Sequence, residues 1–134
     1  MKEFIDTNIF VYAYDARDRR KQVIARELLR RVEAGGAGVV SLQVEQEFFW
    51  TATRKLGLDP LTAKAILKRW TSFEVVAPSE AMLFEAIDCS VTDGVSFWAL
   101  VVTAAAAARC AHLYSEDMSH GQVIRSVRII DPFR

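Results

Sequence analysis

The chain of 134 residues has the length of one ordinary domain, and with 51% hydrophobic and 25% charged residues its composition is typical of a soluble globular protein. Its 17 basic and 17 acidic residues cancel, which excludes a protein that coats nucleic acid through a global positive charge and leaves only a local basic patch for such binding. The composition also argues against disorder.

Hydrophobic periodicity and turn residues predict a regular alternation of strands and helices. The expected elements in chain order are a strand at 2–5, a helix or extended turn at 7–14, a helix at 17–33, a strand at 38–41, helices at 42–56 and 60–70, a strand at 73–76, helices at 79–91 and 97–109, a strand at 112–114, and a final edge strand at 127–130. This alternation predicts an α/β fold, a three-layer α/β/α sandwich with a mostly parallel central sheet, formed by residues 1–134 as a single domain.

Several residues specify the helix ends. Ser41, Ser79 and Ser96 are candidate N-caps, and Asp59 precedes a proline at the first helical turn. In the helix at 42–56 we expect a core-facing set of apolar residues. That set is Val44, Phe48, Phe49 and Ala52.

The cysteines and the longest uncharged run indicate the cellular compartment of the protein. Cys89 and Cys110 lie in apolar or alanine-rich surroundings, with no CxxC pair and no histidine at ligand spacing. We expect them to be buried thiols in a reducing compartment. The uncharged run at 95–108 is too short to span a membrane. These features predict a cytoplasmic protein with no membrane partner.

Three acidic residues follow strands or begin the helices after them. Asp6 ends the first strand, Glu47 lies in the second turn of the helix after the second strand, and Asp117 follows the strand at 112–114. In a parallel sheet these positions face one edge. Clustered carboxylates repel one another unless a cation is present, and Mg²⁺ or Mn²⁺ prefers oxygen ligands. Taken singly, Asp6 could be a helix cap, Glu47 a solvated helix residue and Ser115 a turn cap.

Other chemistries lack their motifs. The sequence has no Walker A loop, no GxGxxG and no nucleophile elbow, which disfavours P-loop hydrolysis, dinucleotide redox chemistry and serine esterase chemistry. A haloacid-dehalogenase-like phosphatase also opens with a strand and an aspartate, but it needs a second aspartate where this chain has Asn8. Metal-assisted phosphodiester hydrolysis is the class that remains.

Four stretches in register resemble the PIN-domain family in its VapC-type toxin branch. They are residues 4–10 (FIDTNIF), 43–48 (QVEQEF), 96–98 (SFW) and 113–118 (LYSEDM) with Gly121. The resemblance implies an Mg²⁺- or Mn²⁺-dependent endoribonuclease that acts as the toxin of a toxin–antitoxin pair. The implied partners are an RNA substrate, a cognate antitoxin and a second copy of the chain in a homodimer.

Carried over by position, the resemblance implies that Asp6, Glu47 and Asp117 coordinate the metal. It implies that Asn8 and Ser115 are polar supports of the same site. Glu45 competes with Glu47 for the second position, but the family's Gln-Glu-Phe pattern matches Glu47.

The chain departs from the family after Trp98. Relatives read Ser-Phe-Trp-Asp-Ala-Leu, whereas this chain reads SFWAL at 96–100, as if the aspartate had been deleted. Loss of one helical residue rotates everything after it by about 100°. We expect weaker metal binding and weaker cleavage, with Asp93 or Glu116 as candidate substitutes. The alternative is a PIN-fold module that binds antitoxin or RNA without cleaving it.

The densest basic run lies close to Asp6 in the sequence. It comprises Arg17, Arg19, Arg20 and Lys21. Such a run is usually a solvated helix face, and here it is also a candidate contact for RNA phosphates. Trp50, Trp70 and Trp98 are expected in the core or at an interface.

Overall fold

The computed structural model describes residues 1–70, 72–94 and 99–134. Its elements in order are β1 (Lys2–Ile5), α1 (Thr7–Ala13), α2 (Arg19–Gly35), β2 (Gly38–Ser41), α3 (Leu42–Arg54), α4 (Pro60–Arg69), β3 (Glu74–Val76), α5 (Glu80–Asp93), α6 (Ala99–Ala107), β4 (Cys110–Tyr114), β5 (Val123–Ile124) and β6 (Val127–Ile130). None of the helices within these ranges combines the length and the apolar character needed to cross a membrane.

The strands form a sheet in the order β3-β2-β1-β4-β6-β5. Every neighbouring pair is parallel except β5 and β6. One group of helices is formed by α1 to α4, and in the other α5 packs against α6, which contacts β2, β4 and β6. The prediction of an α/β/α sandwich with a mostly parallel sheet is confirmed.

The helix ends follow the local chemistry of the sequence. The hydroxyl of Ser41 accepts from the Val44 N–H at 3.2 Å, and the hydroxyl of Ser79 accepts from the Met82 N–H at the same distance. Asp59 caps α4 immediately before Pro60. These capping predictions are confirmed, whereas Ser96 lies outside the described residues.

Large apolar side chains from β1, α1 and α3 form part of the buried core. Phe4, Phe10 and Phe48 are fully buried, and the ring of Phe10 stacks on Trp70 with 3.7 Å between the ring centroids. Cys89 and Cys110 are buried free thiols, as predicted. The sheet therefore sits on a packed interior that holds the ends of its strands in place.

Two sequence predictions are wrong. Residues 127–130 do not form an edge strand, because β6 lies between β4 and the antiparallel β5. Phe49 does not face the core, since its side chain is 37% exposed and lies about 100° around the helix from Phe48. Of the tryptophans expected in the core or at an interface, Trp70 is in the core, whereas Trp50 is 60% exposed, and its place at an interface stays a prediction.

Candidate active site

Asp6 lies at the carboxyl end of β1, where two neighbouring elements fix it. Its backbone N–H donates to the Tyr114 carbonyl on β4 at 3.0 Å, and its Oδ1 accepts from the Thr7 N–H at 2.7 Å as the N-cap of α1. The residue is only 1% exposed. The fold therefore holds a buried carboxylate at the carboxyl end of β1. A residue that only capped α1 would more usually be exposed to solvent.

Ser115 connects Asp6 to the loop after β4. Its hydroxyl donates to Oδ2 of Asp6 at 2.7 Å and accepts from the Asp117 N–H at 3.2 Å. Both oxygens of Asp6 thus have a donor. The same hydroxyl fixes the backbone at Asp117.

Asn8 and Asp117 form the exposed side of the cluster. The Asn8 side-chain amide donates to Oδ2 of Asp117 at 2.7 Å. Asp117 is exposed, whereas Oδ1 of Asn8 is buried and has no hydrogen-bond partner among the described residues. This amide oxygen is therefore available as a hydrogen-bond acceptor or as a metal ligand.

Glu47 approaches the cluster from α3. The Thr7 hydroxyl donates to Oε2 of Glu47 at 3.2 Å, whereas Oε1 is buried and lacks a hydrogen-bond partner in the described part of the chain. Glu45, the competing position, does not line the same cleft. Glu47 thus presents an unpartnered carboxylate oxygen at the site.

Burial dominates the electrostatics of Asp6. Burial raises its pKa from 3.8 to about 6, and the charges of Asp117 and Glu47 add to the increase. The hydrogen bonds from Ser115 and Thr7 oppose it. At neutral pH the chain therefore holds a buried negative charge beside two further carboxylates, an arrangement that a bound cation would stabilise.

These groups line a cleft of about 380 Å³. It is bordered by two cationic side chains as well, Arg17 and Lys55. The acidic lining comprises Asp6, Asp15, Glu47 and Asp117, and the remaining lining residues are Thr7, Asn8, Val11, Tyr12 and Thr51. Arg17 is paired with Asp15, with 2.9 Å between its Nε and the Oδ1 of that carboxylate.

The donor set fits a hard divalent cation in its chemistry, because it is made of oxygens and two of them are buried and unpartnered. It is not closed around a common point. Across residues 1–70, 72–94 and 99–134, no three His, Cys, Asp or Glu side chains are gathered closely enough to hold a metal ion. A hydrated Mg²⁺ needs only one or two direct carboxylate ligands, so water would complete its coordination here.

The motif at 96–98, including the missing aspartate after Trp98, falls outside the described residues. The candidate substitutes have other contacts. Asp93 accepts from the Cys89 thiol at 3.4 Å and lies 3.8 Å from Nε of Arg125. Glu116 accepts from the Tyr12 hydroxyl at 2.5 Å and from Lys21 Nζ at 2.7 Å. Neither carboxylate lines the cleft.

The basic run divides between the cleft and other contacts. Arg17 lines the cleft, but Arg19 contacts Gln22 on its own helix, Arg20 donates to the carbonyl of Phe133, and Lys21 pairs with Glu116. Sequence reasoning missed Thr7 and Lys55 as cleft residues. Lys55 stands eight positions after Glu47, a spacing that places both on one side of a helix and could have revealed it.

The PIN domain family matches residues 4–124, and the chain belongs to that family. A search of the curated proteins finds no significant match.

Solved structures similar to this one are VapC and VapBC proteins. VapBC2 from Rickettsia felis, bound to a DNA fragment from its promoter, has a TM-score of 0.67 at 15% identity, with 96% of this chain and 97% of that chain covered. VapC20 from Mycobacterium tuberculosis, a toxin that cleaves the sarcin-ricin loop, has a TM-score of 0.67 at 18% identity over 84% and 87%. DNA-bound VapBC from Salmonella typhimurium has a TM-score of 0.67 at 15% identity over 98% of each chain. At these identities the likeness is one of fold.

Proposed function

We propose that this protein is an Mg²⁺- or Mn²⁺-dependent endoribonuclease that acts as the toxin of a toxin–antitoxin pair in the cytoplasm. The observation that carries the proposal is the buried Asp6 carboxylate, whose pKa is raised to about 6 beside the carboxylates of Glu47 and Asp117. Membership of the PIN domain family and the VapC-like fold support the same reaction.

Asp6, Glu47 and Asp117 would hold the metal, and three carboxylates suffice because water fills the other positions of an octahedral Mg²⁺. When bound, the metal supplies a Lewis acid for the scissile phosphodiester and positive charge opposite the leaving oxygen. The chain's own polar groups orient the ligands. Ser115 holds Asp6, Asn8 holds Asp117, and Thr7 holds Glu47.

The partners follow from the same hypothesis. The structures from Rickettsia felis and Salmonella typhimurium are VapBC complexes on DNA, which supports a cognate antitoxin as the partner of this chain. We infer that the antitoxin covers the acidic cleft and that the toxin forms a homodimer.

Calorimetric titration of the full chain with Mn²⁺ tests the metal site. Wild type should bind Mn²⁺, and Glu47→Gln or Asp117→Asn should weaken binding and RNA cleavage together, since each removes one oxygen-anion ligand. Asp88→Asn is the matched control, because Asp88 is an exposed acid on α5 that does not line the cleft. Equal Mn²⁺ affinity in all four proteins would refute the site.

A second candidate is a PIN-fold module that binds antitoxin or RNA without cleavage. The open arrangement of the carboxylates favours it, since no three acidic groups among the described residues converge on one point. The same titration separates the two functions. Wild-type protein that binds RNA or antitoxin but neither binds Mn²⁺ nor cleaves RNA would be the silent module.

A further inference from the structure

Trp50 is an exposed aromatic residue with a cation packed on its ring. Its side chain is 60% exposed, and the guanidinium carbon of Arg54 lies 4.2 Å from the ring centroid. Residues four apart on a helix are neighbours, so Arg54 reaches Trp50 without distorting α3. The cation–π contact restrains the indole while leaving much of it in solvent.

Trp50 does not line the cleft itself, but it lies on α3 close to residues that do. It lies three residues after Glu47 and directly before Thr51, and both of these residues line the cleft. Lys55, one turn further along the same side, also lines it. At about 100° per residue, Trp50 lies about 60° around α3 from Glu47. The exposed indole is therefore next to Glu47, on the solvent side of the residues that line the cleft.

The charge of this part of α3 suits a phosphodiester chain. Neither Arg54 nor Lys55 has an ion pair with a carboxylate in the described ranges. The floor of the cleft is acidic, so a nucleic acid that enters it needs cations at the edge to neutralise its phosphates. Arg54 supplies one such charge on the ring of Trp50, and Lys55 supplies a second from the lining of the cleft.

The surroundings of Trp50 favour a base over an apolar protein surface. Its neighbours three and four positions away on the helix are all polar or charged. They are Gln46, Glu47, Thr53 and Arg54. The preceding residue, Phe49, is 37% exposed, so the apolar surface here consists of two side chains in a polar, cationic setting. The indole offers a π-face for stacking, whereas a protein partner is usually met by a larger contiguous apolar patch.

We propose that Trp50, supported by Arg54, stacks an unpaired base of the RNA next to the scissile phosphate, so that the substrate is single-stranded at that point. This inference rests on the proposed function, because it assigns the substrate contact of the same cleft. Trp50 is a positioning residue that holds the strand while the carboxylates act. Aromatic stacking tolerates every base, so Trp50 selects unpaired RNA and not a particular sequence.

The test measures RNA binding in EDTA, where cleavage is suppressed. Fluorescence anisotropy with a labelled, unstructured RNA of about 12 nucleotides should show about tenfold weaker binding for Trp50→Ala, the loss expected from one stacked base. Trp50→Phe should retain most of the affinity, since a phenyl ring still stacks. The same RNA in a perfect duplex should bind wild type and Trp50→Ala alike.

Phe84→Ala is the matched control, because Phe84 is 55% exposed on α5 and does not line the cleft. Trp50→Leu separates stacking from apolar contact. If leucine preserves the affinity as well as phenylalanine does, or if Trp50→Ala binds single-stranded RNA as wild type does, the inference is wrong. Absence of RNA binding by wild type overturns it too.

Two further measurements keep this inference distinct from the proposed function. The Mn²⁺ affinity of Trp50→Ala should match that of wild type, because Trp50 is not a metal ligand. If wild type fails to bind Mn²⁺ but Trp50→Ala still loses RNA affinity, the nuclease fails and the stacking contact stands. If Trp50→Ala abolishes self-association or antitoxin binding and leaves RNA affinity unchanged, Trp50 is a protein contact and the inference is overturned.

Discussion

The hydroxyl of Ser115 donates a hydrogen bond of 2.7 Å to Oδ2 of Asp6, although the two residues are 109 positions apart in the chain. The contact joins the carboxyl ends of β4 and β1, which are adjacent parallel strands. Because the same hydroxyl also accepts from the Asp117 N–H, it sets the position of one candidate ligand and the backbone of another. Ser115 is therefore the structural link between the two ends of the acidic cluster.

Replacing Ser115 by alanine should destabilise the metal-free protein. The change removes the donor to a buried carboxylate oxygen, at a cost of about 1–3 kcal/mol in the free energy of unfolding. Urea denaturation at pH 7 in EDTA measures it. Ser119→Ala is the control, since Ser119 is exposed on the same loop. Equal stability of the two variants would show that the hydrogen bond contributes nothing.

Asp6→Asn should stabilise the metal-free protein at neutral pH. The pKa of Asp6 is raised from 3.8 to about 6 by burial, so the folded state binds the proton more tightly than the unfolded state does. Stability of wild type therefore falls as pH rises from about 4 to about 6, by at most about 3 kcal/mol at about 1.36 kcal/mol per pKa unit. Asparagine carries no charge and avoids this loss.

Urea denaturation between pH 4 and pH 8 in EDTA checks the sign, with pH values bracketing the titration of Asp6. The variant should match wild type near the acid end and exceed it near the alkaline end. Adding Mn²⁺ should stabilise wild type only, because a ligand stabilises the state that binds it. A variant that is less stable than wild type at pH 8 would contradict the electrostatic account of Asp6.

The sequence predicted the starts of three helices well because each is marked by a short-range signal, the N-cap residue. Ser41, Asp59 and Ser79 cap helices where a polar residue meets an apolar run. β5 was missed because it has two residues and its turn to β6 has no glycine. Arg125 and Ser126 adopt positive φ angles of 51° and 68°, which a tight hairpin requires but usually obtains from Asn-Gly.

The site was only partly predictable for a different reason. Asp6 and Asp117 follow buried strands, so the sheet edge could be inferred from pattern alone. The hydrogen bond from the Thr7 hydroxyl to Glu47 depends on how α1 and α3 pack, and no local sequence spacing specifies that packing. Phe49 was placed wrongly because adjacent apolar residues on a helix point about 100° apart, and Val44, Phe48 and Ala52 already form the buried stripe.

Lys21→Met should weaken Mn²⁺ binding, although Lys21 does not line the cleft. The ammonium of Lys21 lies 2.7 Å from Oε2 of Glu116 and donates to the Tyr12 hydroxyl at 3.2 Å, and the pair is partly buried. Glu116 stands between Ser115 and Asp117, so loss of its partner releases the loop that carries both. We expect a loss of about 1 kcal/mol in the free energy of unfolding, because Glu116 loses its cation but still accepts from the Tyr12 hydroxyl.

Calorimetry should also show weaker Mn²⁺ binding for Lys21→Met than for wild type. Lys21→Arg should restore most of both properties, since it retains the charge. Lys64→Met serves as the control, because Lys64 is exposed and has no ion pair in the described part of the chain. Unchanged Mn²⁺ affinity in Lys21→Met would show that the Lys21–Glu116 ion pair does not support the metal site.

Inserting an aspartate directly after Trp98 should raise both Mn²⁺ affinity and RNA cleavage, by about tenfold or more if the fourth carboxylate contributes about 1.4 kcal/mol. The resemblance to VapC-type PIN domains implies an aspartate at this place, and with it one more residue between Trp98 and Asp117. An inserted alanine at the same place is the matched control, since it restores the length without the carboxylate. Ala99→Asp supplies the carboxylate without the length and should rescue less, because one missing residue leaves the following helix rotated by about 100°. If the two insertions behave alike in cleavage assays with Mn²⁺, the missing carboxylate is not what limits this protein.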